Sequence, residues 1–326
     1  KTITLFKIPF FMSQYPLVTV LLATYNRAHF ISETLDSILV QTYSNWECII
    51  VDDYSTDSTK DIITEYIKND NRFSYYLKTE KYKKGLSGTR NHGLDIAATR
   101  NAKFIQFFDD DDIMYPRKLE LQMEPFLENS KLNLTICKFD YLVENNDMSF
   151  NIKRNEYQID ISHLGDSTLT GELKINSLSA LWKMETLNRF RFDEILDYAE
   201  EWELYTRIGY NYPNNYEIVD EYLFKYRKHK KSLTMDDDLD FSKRKTSAII
   251  RIKIFEYLTS NRLHTKKSIL FLVKTFLVDN YSPNKVKTLL VYVNQSDEFS
   301  VSLKIYLRFV LCISKFYNKM IGKLGS

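Results

Sequence analysis

The segment Phe104-Ile105-Gln106-Phe107-Phe108 runs directly into four consecutive acids, Asp109 to Asp112. An apolar, aromatic run of this length reads as a buried strand. The charge at its end is too dense to be buried unpaired. Alternation along extended backbone puts Asp109 and Asp111 on one side and Asp110 and Asp112 on the other. In open α/β sheets the carboxyl ends of strands form the ligand crevice. Oxygens offered there suit a hard divalent cation that carries phosphates. Acids ahead of a helix are also stabilised by its dipole, so taken alone the run leaves a metal site and a helix cap both open.

The segments before it repeat one rhythm. Val18–Ala23 is a β-branched strand ending in the polar turn Thr24-Tyr25-Asn26-Arg27, and residues 30–41 carry apolar positions at helical spacing, with Ser32 as the expected N-cap. Trp46–Val51 is a second strand that ends in acids, Asp52-Asp53; a helix capped by Thr56 or Asp57 follows, then a third strand, Phe73–Leu77. A loop containing Gly85 and Gly88 leads to a helix over residues 90–98 and so to the Phe104 strand. Strand–helix alternation of this kind predicts an α/β fold with a doubly wound, mostly parallel sheet. The first turn lacks the G-x-G-x-x-G of a dinucleotide fold, and Gly85 to Gly88 does not supply a P-loop.

Farther along, a helix is expected over 117–127, strands over 132–143, 178–184 and 217–226, and a polar excursion over 145–175. Glu200-Glu201 opens a helix running to about Tyr210; Glu200 suits a structural role at the helix start, and Glu201 a functional one. Residues 241–326 read as amphipathic helices with 16 Lys and Arg against 4 Asp and Glu, a local +12 that leaves −10 on the preceding 240 residues. Such a basic extension fits packing, oligomer contact or an anionic membrane surface. Cys48, Cys137 and Cys312 match no zinc or disulfide spacing and read as thiols in a reducing compartment. Lys1–Phe11 is apolar but lacks the cleavage site of a signal peptide.

Together, Val18–Asn26, Ser37–Asp57, Gly88-Thr-Arg-Asn91 and Phe107–Asp112 resemble the nucleotide-sugar half of family 2 glycosyltransferases, inverting enzymes of GT-A fold. Phe192-Asp-Glu and Glu200-Glu-Trp-Glu-Leu resemble that family's acceptor-side segment. The resemblance covers about 16–235, with the nucleotide-sugar half to about 115 and the acceptor half after it; 236–326 stand apart as a helical extension. It implies that Ala23 and Tyr25 line the nucleotide base, that Asp53 accepts the pyrimidine imide hydrogen, and that Arg90, Asp109 and Asp110 lie on the donor side. Asp111, with Asp109, would hold Mg2+ or Mn2+. Glu201 would be the general base, although many members carry Glu-Asp where this chain has Glu-Glu. Asp112 is left as a helix cap. Arg227, His229 and Ser232 fall where some members have a mobile loop, with His229 read as a surface histidine.

The expected activity is transfer of a single sugar, with inversion, from a nucleotide diphosphate sugar (a UDP-sugar) to a hydroxyl of a glycan or lipid-linked glycan in surface polysaccharide synthesis. The expected setting is cytoplasmic, peripheral at the membrane, without nucleic acid; a homo-oligomer stays open. The alternative is a catalytically silent nucleotide-sugar-binding or assembly subunit.

Overall fold

The structure, a computed structural model, describes residues 16–145, 149–157, 159, 161–173, 175–229 and 240–278, together with 291, 301, 304 and 305. The Lys1–Phe11 segment, Ser232, Cys312 and most of the expected helical stretch after residue 278 lie outside the described residues.

Four parallel strands, β1 (Val18–Thr24), β2 (Trp46–Asp52), β3 (Phe73–Leu77) and β4 (Phe104–Asp109), stand in the order β3-β2-β1-β4. Every residue of the central strand β1 is buried, as a parallel strand covered on both faces requires. Its Val18, Val20 and Leu22 share one apolar cluster with Ile31, Leu35 and Ile38 of helix α1 (Ile31–Leu39). On the other face, Gly93 of α3 (Leu86–Thr99) stacks closely on Leu21 and Val51. The register sets Thr24 beside Asp52 and Ala23 beside Asp109, so three strands end together. Helix α2 (Thr59–Asn69) connects β2 to β3.

Beyond β4 the sheet turns mixed. The short β8 (Ala180–Lys183) pairs antiparallel with β4 and with β6 (Leu134–Glu144); β6 runs parallel to β9 (Tyr216–Lys228), and β5 (Ile113–Met114) closes the path. The 145–175 excursion contains a strand, β7 (Phe150–Lys153), paired with β6, and a helix, α5 (Leu164–Thr170). Helix α3 starts four residues before the expected boundary, because Gly85, at φ 113°, takes the turn that precedes it. Helix α1 has Phe30, not Ser32, at its N-cap.

Contacts divide the chain into two units. The first, Lys1–Ile159, Ile175–Glu201 and Asn215–Asp237, holds the sheet, helix α4 (Lys118–Glu128) and the short α6 (Met184–Leu187). The second, Asp160–Lys174, Trp202–Asn214 and Asp238–Ser326, is helical: α5, the body of α7 (Glu200–Asn211), α8 (Asp240–Ser260) and α9 (Lys266–Val278). Within it the Asp166 carboxylate accepts from the hydroxyls of Tyr210 at 2.5 Å and Thr265 at 2.7 Å. Ile269, Leu272 and Val273 of α9 are buried. Among the described residues no helix is long and apolar enough to cross a membrane.

Candidate functional site

The aligned ends of β1, β2 and β4 open into a cavity of about 600 Å³ in the first unit. Ala23, Tyr25, Asp53, Arg90, Asp109, Asp110, Asp111 and Glu201, all the residues expected at a site, line it.

The acid run keeps its predicted alternation through the turn after β4. Asp110 and Asp112 are buried, whereas Asp109 and Asp111 are partly open to the cavity. Asp110 accepts the Tyr25 backbone N–H at 3.1 Å and faces Arg27 Nε at 3.2 Å. Burial first, and the charge of Asp111 next, push the Asp110 carboxyl up to about 8, against the pull of Arg27. Asp111 Oδ2 meets His229 Nε2 at 3.1 Å and Arg27 Nε at 3.5 Å. His229 is therefore not a surface histidine: it is 4% exposed, packed on the Phe30 ring.

Asp112 caps no helix. Helix α4 begins at Lys118 with Arg117 at its N-cap. Asp112 instead accepts the Arg227 backbone N–H at 2.6 Å, and burial drives its carboxyl well above the usual carboxylate range, with the charge of Asp111 adding to the effect. The Arg227 guanidinium lies between the Phe30 and Phe150 rings and donates to the Asp111 carbonyl at 2.6 Å. The end of β9 thus clamps the acid run from the far side.

At the end of β2, Asp53 is 4% exposed; its Oδ2 accepts the Gly85 N–H at 2.6 Å, and it forms an ion pair with the buried Lys78. Lys78 in turn donates to the Lys83 carbonyl at 2.6 Å, which closes the loop around Asp53. Tyr25 is 41% exposed, with Lys84 Nζ 5.1 Å from its ring centroid. An accessible aromatic face beside a carboxylate acceptor can stack a planar base and bond its edge.

Arg90 does not project into solvent. Its buried guanidinium donates to Asp109 at 2.7 Å, to Ser177 Oγ at 2.7 Å and to Glu200 at 2.9 Å. Glu200 is buried, whereas Glu201 is partly open to the cavity. Desolvation first and the Glu200 charge second push Glu201 up to about 8. The carboxylate of a pair whose environment raises it in this way is suited to accepting a proton near neutral pH. Sequence reasoning missed Arg27, Lys78, Lys84 and Ser177. Arg27 stands in the polar turn after β1, where its position was the available signal; a buried lysine such as Lys78 has none.

A three-strand parallel edge that gathers acids above one cavity, continued by a mixed half-sheet, is the GT-A type of nucleotide-dependent transferase frame. The model of the family described as Glycosyl transferase family 2 matches residues 19–196, and the chain belongs to that family. It is 39% identical over 130 residues to UDP-Glc:alpha-D-GlcNAc-diphosphoundecaprenol beta-1,3-glucosyltransferase WfgD of Escherichia coli, covering 40% of this chain and 47% of that protein. The chain thus spans about half the length of this curated relative. The crystal structure of S. aureus TarS 1–349 in complex with UDP-GlcNAc superposes with a TM-score of 0.64 at 18% identity, over 91% of this chain and 88% of that one. Mannosyltransferase PcManGT from Pyrobaculum calidifontis, in complex with GDP-Man and Mn2+, gives 0.54 at 16% identity, over 94% and 89%. At these identities the structural likeness shows the fold.

Proposed function

We propose that the protein transfers a single sugar, with inversion, from a UDP-sugar to a hydroxyl of a lipid-linked glycan. One observation carries this reading: a base-type carboxylate, Glu201, and the donor-side acids Asp53, Asp109, Asp110 and Asp111 line the same cavity. The relative WfgD is named for UDP-Glc and a diphosphoundecaprenol-linked acceptor, and TarS was crystallised with UDP-GlcNAc, which supports donor and acceptor of those classes.

In this reading Tyr25 stacks the base and Asp53 accepts its imide hydrogen. The Lys78 ion pair and the Gly85 N–H hold that carboxylate in place. Glu201 takes the proton of the acceptor hydroxyl as it attacks the anomeric carbon from the side opposite the leaving diphosphate.

The residues also fit a divalent cation. Asp111 offers a carboxylate with an imidazole, His229, 3.1 Å from it. Burial raises Asp110 most, and the Asp111 charge that adds to it is the kind of local negative charge a cation relieves. Among the described residues no group of three or more His, Cys, Asp or Glu gathers into a metal cage; Mg2+ or Mn2+ needs only one or two carboxylates, with phosphate and water filling its shell. Asp111, joined by Asp109 or His229, would hold the ion, and when bound it would supply Lewis-acid neutralisation of charge on the leaving diphosphate. Arg27 adds a fixed positive charge beside the same acids.

The basic helical unit extends the proposal to the setting. Lys266, Lys267 and Lys274 are exposed around the half-exposed Leu270 and Phe271 on α9. That pattern suits an anionic membrane surface, where lipid-linked acceptors reside.

The test is release of UDP from a panel of UDP-sugars, with a GlcNAc-diphospho-lipid as acceptor and with Mn2+ or EDTA. Acceptor-stimulated release that EDTA suppresses is expected. Binding of UDP-sugars without any release would point instead to a silent binding subunit.

A further inference from the structure

Two adjacent glutamates open α7, and both border the cavity, yet their surroundings differ. Glu200 is 6% exposed and bonded to Arg90 Nη1 at 2.9 Å. Glu201 makes no side-chain hydrogen bond and no ion pair with another residue among the described residues. We propose that Arg90 and Glu200 are positioning residues for the base: the guanidinium ties Glu200 to the end of β4, and this leaves Glu201 facing the cavity under the charge of its neighbour. The proposal rests on the transferase reading for the role of Glu201, and its geometry stands apart from that role.

Arg90 is fixed on every side. Its Nη2 is shared between Asp109 Oδ1 and Ser177 Oγ, each at 2.7 Å, and its guanidinium carbon lies 5.4 Å from the Phe192 ring centroid and 6.0 Å from that of Phe107. A planar fork held by several acceptors leaves little freedom to swing, and a lysine could not reproduce it. Successive helical residues point about 100° apart, so holding Glu200 inward fixes the direction of Glu201. The backbone enters this helix through Ala199 at φ 55°, a left-handed conformation that a non-glycine residue rarely adopts without support.

The charged groups around Glu201 are few. Glu200 and Tyr198 come from its own segment, Asp109 from β4 and Arg90 from α3. The start of α7 favours ionised carboxylates. Burial is the largest influence on Glu201 and Glu200 the second, both raising it, while Arg90 acts in the opposite direction. Removing the charge of Glu200 should therefore let Glu201 ionise at lower pH, and removing Arg90 should do the reverse.

The experiment is an infrared pH titration of full-length protein labelled with 13C-glutamate, which separates glutamate from aspartate carboxyl bands. In wild type a protonated glutamate band should disappear near pH 8, and it should be missing in Glu201→Gln. In Glu200→Gln, which keeps the shape and an oxygen acceptor for Arg90, the loss should move down by about one pH unit or more, the scale of a neighbouring charge. In Arg90→Gln it should move up. An unmoved titration in Glu200→Gln, or loss of the band in that variant, overturns the proposal. Should Arg90→Gln not fold, the Glu200→Gln titration decides alone. The readout needs no turnover: the predicted titration in a protein that transfers no sugar would uphold the positioning and refute the transferase reading, and an unmoved titration in an active enzyme would do the opposite.

Discussion

A carboxylate can act as a base only when ionised, and the Glu201 carboxyl is pushed up to about 8, chiefly by burial. At pH 7 about one tenth of it carries the charge, a fraction that grows roughly tenfold per pH unit below 8. Turnover should accordingly climb with pH and level off above about 8; a profile already flat at pH 6 would contradict this. Asp53 gives a second handle at the same scale. Its carboxylate is held by Gly85 N–H and Lys78, so Asp53→Ala should weaken UDP-sugar binding and also loosen the loop that follows β3. Calorimetric titration with UDP checks the first effect, with a loss of about tenfold or more expected for a charge-assisted hydrogen bond.

Among the elements, the first turn of α3 packs closely on the loop that precedes it. A Cβ on Gly88 would fall 2.1 Å from the Lys83 carbonyl oxygen, which is backbone and cannot swing aside. Gly88→Ala should cost about 1–3 kcal/mol by overpacking, read as a fall in Tm of several degrees. UDP affinity should fall with it, because in the adjoining loop Gly85 donates to Asp53 and the Lys83 carbonyl accepts from Lys78, the ion-pair partner of Asp53. Sequence reading did well on the elements that carry their own periodicity. Strand β3 was expected at Phe73–Leu77 and lies there, and β1, β2 and β4 agree to within a residue. It did poorly where partners come from distant strands. Asp112 meets Arg227 across 115 positions, and His229 meets Asp111 across 118. No local pattern reports such a pairing, so the sequence alone makes Asp112 a cap and His229 a surface residue. The acids themselves were legible because a run of four at a strand end has few structural uses; that Arg90 bonds Glu200 was not, since it depends on where α7 begins.

For the whole molecule, the charge asymmetry of the sequence, +12 over 241–326 against −10 before it, places the basic character mostly in the helical unit. Lys267 is partly engaged with Glu172 at 2.6 Å, an exposed pair that contributes little. If this face meets an anionic bilayer, the full-length protein should float with vesicles containing phosphatidylglycerol and be released by about 0.5 M salt, where screening is strong. Replacing Lys266, Lys267 and Lys274 by Glu should reduce recovery several-fold without altering UDP binding, since none of the three lines the cavity at the ends of β1, β2 and β4. Equal recovery of both proteins would remove membrane contact through α9.

The most direct measurement compares the rate of UDP release by wild type and Glu201→Gln at pH 8, with UDP-sugar affinity determined for both. A positioned base is worth about 10² to 10⁴ in rate, so the variant should lose at least a hundredfold in turnover while binding donor as wild type does. Turnover near the wild-type rate would place the base elsewhere and contradict the assignment of Glu201.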